Sequence, residues 1–420
     1  MCALESSTIR RGDRLLRRAL MLAALGAVGA CQGGGATLGP PDSYLVFEPV
    51  PAANPAASPT SAPLMRALAL DDARAAPAHR GALEGFLGEL LRTDYLVKQL
   101  IRDGWEGASF SPPARARAAE PTVLVVAGQR ATPTPEAALG IGLDTKGFFG
   151  RREAHPNATW IEIGDDPATD PAFVQTASGR VARLIAERLV TATEGGAVDA
   201  PERALIAGYA LAMEVIGREW RVGEGPRGTI PSDAGTGTQR EHFAGLRQNV
   251  YVTVPGDPQT LRPGAEMLTD PGVIATVIYR IAQSKGVGRR VAPPEIYAPF
   301  VKDRVPPGIS PAAVLGPVRN FQVKLLVSWA RATLRGRPPR DLVDLVNAYA
   351  EALPSERSEV LRIFVATTFG ATVKPGGVSP RAADATASLA ELTTLAAEVA
   401  AGKRGVRAGL DARPDAPARP

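Results

Sequence analysis

From Gly81 to Asp103 the apolar residues Leu83, Phe86, Leu87, Leu90, Leu91, Tyr95, Leu96, Leu100 and Ile101 recur at steps of three and four. That spacing gathers them on one face of a helix, and such a face is stable only when buried against a partner. Similar signals follow. Asp170-Pro171 supplies a cap and an N1 proline for a helix to about residue 192, the favoured order at a helix start. Ala200-Pro201-Glu202 opens another to about residue 221, with Leu205, Tyr209, Ala212, Met213, Ile216 and Trp220 on one side. Further helices are expected over residues 271–284, 311–334, 340–352, 355–369 and 380–401. Thr122–Val126 and Thr159–Ile163 read as short strands. The expected class is mainly α with a small β component (α+β), a multi-helical body built as one unit or as two lobes.

No internal repeat of constant period is evident. The folded part, roughly residues 64–402, exceeds the usual size of a single core. Glycine-rich residues 222–237 and the prolines between 255 and 263 mark long loops, so the expected division is an α+β lobe over 64–230 and a helical lobe over 231–402. Pro112-Pro113 and the Arg/Ala segment to Glu120 read as a loop. Residues 31–63 are rich in Gly, Pro and Ala and read as a flexible tether. Their apolar island, Tyr44-Leu45-Val46-Phe47, reads first as a short strand docking on the body; a partner-binding motif and a chance cluster are the alternatives. Residues 403–420 read as a disordered tail.

The first thirty residues carry a different signal. Arg10, Arg11, Arg14, Arg17 and Arg18 precede the uncharged run Ala19 to Ala30. Twelve residues of helix span only about 18 Å, too short for a bilayer, so residues 1–30 read as a signal peptide. Val28-Gly29-Ala30-Cys31 resembles the lipobox of bacterial lipoproteins. The resemblance implies cleavage before Cys31, with Val28, Gly29 and Ala30 read by the signal peptidase. It also implies acylation of Cys31 by two or three chains, enough for stable anchoring. Gln32 at the next position is similar to the outer-membrane sorting pattern. Arg17-Arg18 also resembles part of a twin-arginine signal, but the usual preceding Ser or Thr is absent and the general secretory route is preferred. The expected location is the periplasmic face of the outer membrane.

Processing changes the charge. The whole chain has 48 Lys and Arg against 43 Asp and Glu, a formal +5. Without residues 1–30, which hold five Arg and two acids, the chain is formally +2, so its basicity is no argument for nucleic acid. Three His and two Cys in 420 residues exclude disulfide scaffolds, zinc ribbons, iron–sulfur clusters and a His-rich metal site. Cleavage removes Cys2 and lipidation consumes Cys31, which excludes cysteine catalysis.

No P-loop, nucleophile elbow, S-x-x-K or H-E-x-x-H motif is present. Gly140-Ile-Gly142, Gly147 to Gly150 and Gly235-Thr-Gly-Thr238 read as turns, because they lack the strand, helix and lysine of a phosphate cradle. The acids Glu162, Asp165, Asp166 and Asp170 cluster after the second strand, yet without calcium-loop spacing they read as a solvated turn. His155, before Pro156, and His242, at a helix start, complete a polar set with Asp165 and Asp166; each reads first as a surface or helix-end histidine. No catalytic residue, metal site or cofactor is assigned.

Two strands followed by helices containing Ser178 to Ala182 and Ala207-Gly-Tyr-Ala210 are similar in layout to gluzincin metallopeptidases. That family carries H-E-x-x-H on the first helix and a ligand Glu on the second. Here residues 178–182 hold no His and Ala207 stands at the Glu position, so the resemblance implies a scaffold unable to bind zinc there. The function expected is a non-catalytic, partner-binding or scaffold lipoprotein of the bacterial envelope, with an envelope protein as partner. The alternatives are a periplasmic hydrolase, a small-ligand binder and a degenerate metallopeptidase scaffold.

Overall fold

The computed structural model describes residues 44–49, 64–67, 86–119, 122–126, 141–144, 152–155, 159–163, 171–190, 198–221, 261–288, 290–301, 311–378 and 385–411. Helix dominates them. In chain order, the segments up to the first long helix pair are β1 (Tyr44–Pro49), β2 (Leu64–Ala67), α1 (Phe86–Asp103), α2 (Pro112–Ala119), β3 (Thr122–Val126), β4 (Ile141–Asp144), β5 (Arg152–His155) and β6 (Thr159–Ile163). There follow α3 (Pro171–Val190), α4 (Ala200–Arg221), α5 (Gly264–Met267), α6 (Pro271–Gln283), α7 (Pro294–Val301), α8 (Pro311–Leu334), α9 (Leu342–Ala352), α10 (Arg357–Thr367), α11 (Ala385–Ala400) and α12 (Ala408–Asp411).

The strands pair in the order β5-β4-β2-β1-β3-β6. β1 runs parallel to β3, with Leu45 opposite Val123, and antiparallel to β2. β3 and β6 are parallel, Leu124 facing Ile161. The Tyr44 to Phe47 island thus pairs along its whole length with β3. Gly140-Ile-Gly142, read as a turn, leads into a strand instead, because Gly142 and Leu143 pair with β2 on one side and β5 on the other.

Most of the described helices share one large apolar cluster, and a small second one joins Met267, Val273 and Ala371. Leu90, Val97, Ile185, Leu205, Met213, Ile274, Val277, Trp329, Val346 and Phe364 all belong to the large cluster and are almost wholly buried. It contains side chains from both sides of residues 222–263, with α4 packed on α6 across that interval. α3 and α4 pack as a pair, α1 lies on α3, and α8 packs on both α7 and α9. Gly208 permits the α4–α6 approach, since a Cβ there would collide with the Ile274 side chain. The α1 stripe is buried as its spacing requires, although Tyr95 keeps partial exposure. Three polar residues, Thr93, Asp94 and Lys98, are buried with it.

Pro112-Pro113 starts a helix, not a loop. Proline is well suited to a first turn because its missing N–H would be unpaired there anyway, and the Ser111 carbonyl receives the Arg115 N–H at 3.0 Å. α7 has no counterpart in the sequence reading, because Pro293, Pro294 and Pro299 signal a broken segment. Residues 403–411, expected within the tail, include α12, and Arg407 binds both Asp341 carboxylate oxygens at 2.6 Å and Asp344 at 2.8 Å. One guanidinium nitrogen of Arg407 thus donates to carboxylate oxygens of both Asp341 and Asp344, a charge-assisted contact that ties this part of the tail to α9 and its cap. Among the described residues no helix is long and apolar enough to cross a membrane.

Candidate functional site

Two charged clusters lie on one stripe of α8 and the turn that follows it. Lys324, Ser328, Arg331 and Arg335 are spaced by four, three and four residues, so they follow one another along a single helix face. The first is sealed. The last two open on a cavity.

At the sealed end, the Lys324 ammonium meets both Glu356 oxygens at 2.8 and 3.0 Å, and neither side chain is exposed. It also donates to the carbonyls of Val287 and Arg290. Tyr349 donates to Glu356 at 2.7 Å. Asn320, one turn before Lys324, donates to the carbonyl of Arg290 at 3.1 Å and accepts from Tyr297 at 2.5 Å. Together Asn320 and Lys324 clamp the connection between α6 and α7. Burial, against the attraction of Glu356, lowers the Lys324 ammonium below its ordinary value, and burial followed by the Glu356 charge pushes the Tyr349 phenol well up. This cluster is a structural staple: all its charged groups are paired, and it has no access.

A second sealed cluster ties β3 to the helices. Asp94 accepts from Arg188 at 2.8 Å and from the Thr122 hydroxyl at 2.7 Å, while Lys98 donates to Thr122 at 2.7 Å. Burial alone would raise the Asp94 carboxyl, but Arg188, Lys98 and Thr122 outweigh it and hold the carboxyl below its ordinary value. Burial takes the Lys98 ammonium down to about 8 despite Asp94.

At the open end, α8, α9 and the turn between them enclose a cavity of about 520 Å³. Arg331, Arg335, Arg337 and Arg340 line it against Asp344 and Glu351, with Ala332, Ala348 and Ala352 as apolar wall. The size is that of a small-molecule site. The sequence places these groups by period: Asp344, Asn347, Ala348 and Glu351 recur on one face of α9. The α8–α9 turn needs Gly336, whose φ is +74°, and delivers Arg337 and Arg340 to the rim. Glu106 reaches the same rim from the turn after α1, with a φ of +51° that side chains rarely adopt. It holds Arg331 at 2.8 Å and Arg335 at 3.5 Å. Arg331 also lies 5.2 Å from the centre of the Trp105 ring, a cation–π contact.

The remaining pairs are looser. One Glu351 oxygen accepts from Arg335 at 3.2 Å and from Arg337 at 3.3 Å, and Arg340 lies 3.8 Å from Asp344. Strong charge-assisted contacts fall near 2.7–2.9 Å. Arg337 and Arg340 keep 68% and 71% of their side-chain surface exposed. Four guanidinium groups line the cavity against two carboxylates, and even with Glu106 included the balance stays positive. The lining of the cavity is net positive.

The described residues that line it include none of those singled out from sequence. Cys31, Val28, Gly29, Ala30, Asp165, Asp166 and His242 lie outside the described residues. His155 ends β5, with Ile141 as its cross-strand partner. Ser178 and Ala182 are wholly buried in α3. Among the described residues no three His, Cys, Asp or Glu side chains converge as metal ligands. The signal for the groove was available: four Arg within residues 331–340. In a chain with 48 basic residues that density does not stand out until the fold brings α9 opposite. Comparisons with protein families, with curated proteins and with solved structures find no match to this chain.

Proposed function

We propose that this chain is a bacterial lipoprotein, anchored through Cys31 at the periplasmic face of the outer membrane, with a non-catalytic binding role in the cell envelope. On this reading residues 1–30 are removed, the α+β body stands off the bilayer on the chain following Cys31, and the arginine groove between α8 and α9 is its binding face. The observation that carries it is Val28-Gly29-Ala30-Cys31 at the end of a twelve-residue uncharged run behind five arginines. An apolar residue, two small residues and a cysteine fit a lipoprotein peptidase, and two or three acyl chains suffice for stable attachment.

The test is metabolic labelling with a palmitate analogue, followed by membrane fractionation. Wild type should label and sediment with outer membranes; Cys31→Ser should do neither. A photo-crosslinking residue at Asn347, on the groove, should then capture an envelope component from the wild-type chain and lose it in Cys31→Ser. Labelling that survives Cys31→Ser would overturn the anchor. Cross-linking that is indifferent to the anchor would overturn the envelope role.

A further inference from the structure

We infer that the α8–α9 groove binds a phosphate monoester group, held by Arg335, Arg337 and Arg340 in exchange for the internal carboxylate of Glu351. The inference deepens the reading of this groove as the binding face by naming its ligand class.

The groove already contains a carboxylate. Glu351 is carried on α9 and lines the cavity, so it faces the arginines at high effective concentration. Even so, it reaches Arg335 and Arg337 only at 3.2 and 3.3 Å and through a single oxygen. By contrast, Arg407 closes on both oxygens of Asp341 at 2.6 Å. Guanidinium and carboxylate therefore make short contacts at Asp341 and longer ones in the groove. A ligand carboxylate would offer no more charge than Glu351 does. A phosphate monoester brings about −1.5 to −2 charges and three acceptor oxygens, enough to bridge three guanidinium forks at once. Displacing Glu351 is inexpensive because it is half exposed and returns to water.

Arg331 is the fixed member of the set. It is occupied by Glu106 at 2.8 Å and by Trp105, and serves as a positive wall. The neighbouring Ala332, Ala348 and Ala352 give room for a short apolar or sugar-like portion beside the phosphate. Two sources share this chemistry: a soluble phosphate ester, or the phosphomonoester headgroup of a lipid at the membrane surface.

The test uses the full Cys31→Ser chain, so that acylation does not itself bind membranes. Melting temperature is followed against inorganic phosphate and sn-glycerol 3-phosphate, with sodium chloride at matched ionic strength. Co-sedimentation is followed with vesicles of phosphatidylcholine containing or lacking phosphatidic acid. The expected result is a rise of several degrees with the phosphate compounds beyond the chloride control, or vesicle binding that requires phosphatidic acid. Either response is lost in Arg337→Gln/Arg340→Gln, whose melting temperature without phosphate matches the parent. Glu351→Gln should bind several-fold more tightly, because it releases Arg337 and leaves Arg335 only its longer contact with Glu106. A response to glycerol 3-phosphate without binding to phosphatidic acid vesicles identifies a soluble ester. A response confined to vesicles identifies the headgroup.

No response to any probe overturns the inference, as does a response that survives in the double arginine variant. Weaker binding in Glu351→Gln overturns the exchange. These measurements do not depend on lipidation, so their failure is distinct from failure of the palmitate and fractionation tests.

Discussion

Lys324 and Arg331 sit two helical turns apart on the same stripe of α8, and each faces a glutamate at 2.8 Å. Yet they belong to opposite regimes. Lys324 and Glu356 have no exposed side-chain surface, whereas Arg331 and Glu106 retain 25% and 41% of theirs. For a sealed pair, desolvation is large and already incurred, so neither member can leave without stranding the other. In the groove, water solvates whichever group is released, and pairs can be exchanged. Burial, more than residue type, decides whether an ion pair on this helix is locked in place or open to water.

The largest expected effect breaks the sealed end. Lys324→Met should cost about 3–5 kcal/mol in chemical denaturation, because it leaves Glu356 buried without a counter-ion. Adding Glu356→Leu should recover most of the loss; no recovery would show that the cost lies elsewhere than in the stranded charge.

The Asp94 cluster should follow. Asp94→Asn should cost about 3 kcal/mol by the same argument, since Arg188 and Lys98 lose their carboxylate. Its pH dependence has a defined sign. The folded carboxyl lies below its unfolded value of 3.8, so the stability it contributes is present above about pH 4 and is lost as the pH falls through the folded value. Lys98 works in the other direction. Its folded ammonium titrates near 8 against 10.5 unfolded, so between those values the unfolded chain binds more protons and stability gains as the pH rises. Urea midpoints at pH 7 and pH 10 should show a larger gain in wild type than in Lys98→Met, which keeps only the gain from the buried Lys324.

Intermediate burial should give an intermediate effect. Arg407→Ala, at the pair with Asp341 where the arginine is 36% exposed, should cost about 1 kcal/mol after allowance for solvent screening. A cost comparable to that of Lys324→Met would contradict the ordering by burial. The smallest effect belongs to the rim: Arg337→Gln should change stability by less than about 0.5 kcal/mol. Its consequence should appear in phosphate binding instead.

Helices were the legible part. The expected helix over 311–334 coincides with α8, and the one over 340–352 begins two residues later because Asp341 is its cap, accepting from the Asp344 N–H at 3.0 Å. Periodicity and capping are local, so they survive in the order of residues. Segments rich in proline misled in one direction, hiding helices: Pro112-Pro113 opened one, and α7 formed around Pro299. In each case packing against a neighbour, α1 for α2 and α8 for α7, overrode the local signal. The groove was not legible, since its two walls come from helices whose relative placement no local pattern encodes.

The sequence by itself determined where α8 and α9 lie and that each carries a polar face, because a 3.6-residue period is a property of neighbours along the chain. Only the tertiary structure decided which charges on those faces are sealed and which are open. The partner of Lys324 lies 32 residues away and that of Arg331 lies 225 away. An ion pair's strength depends on how much water its surroundings exclude, and that exclusion exists only once distant helices have packed.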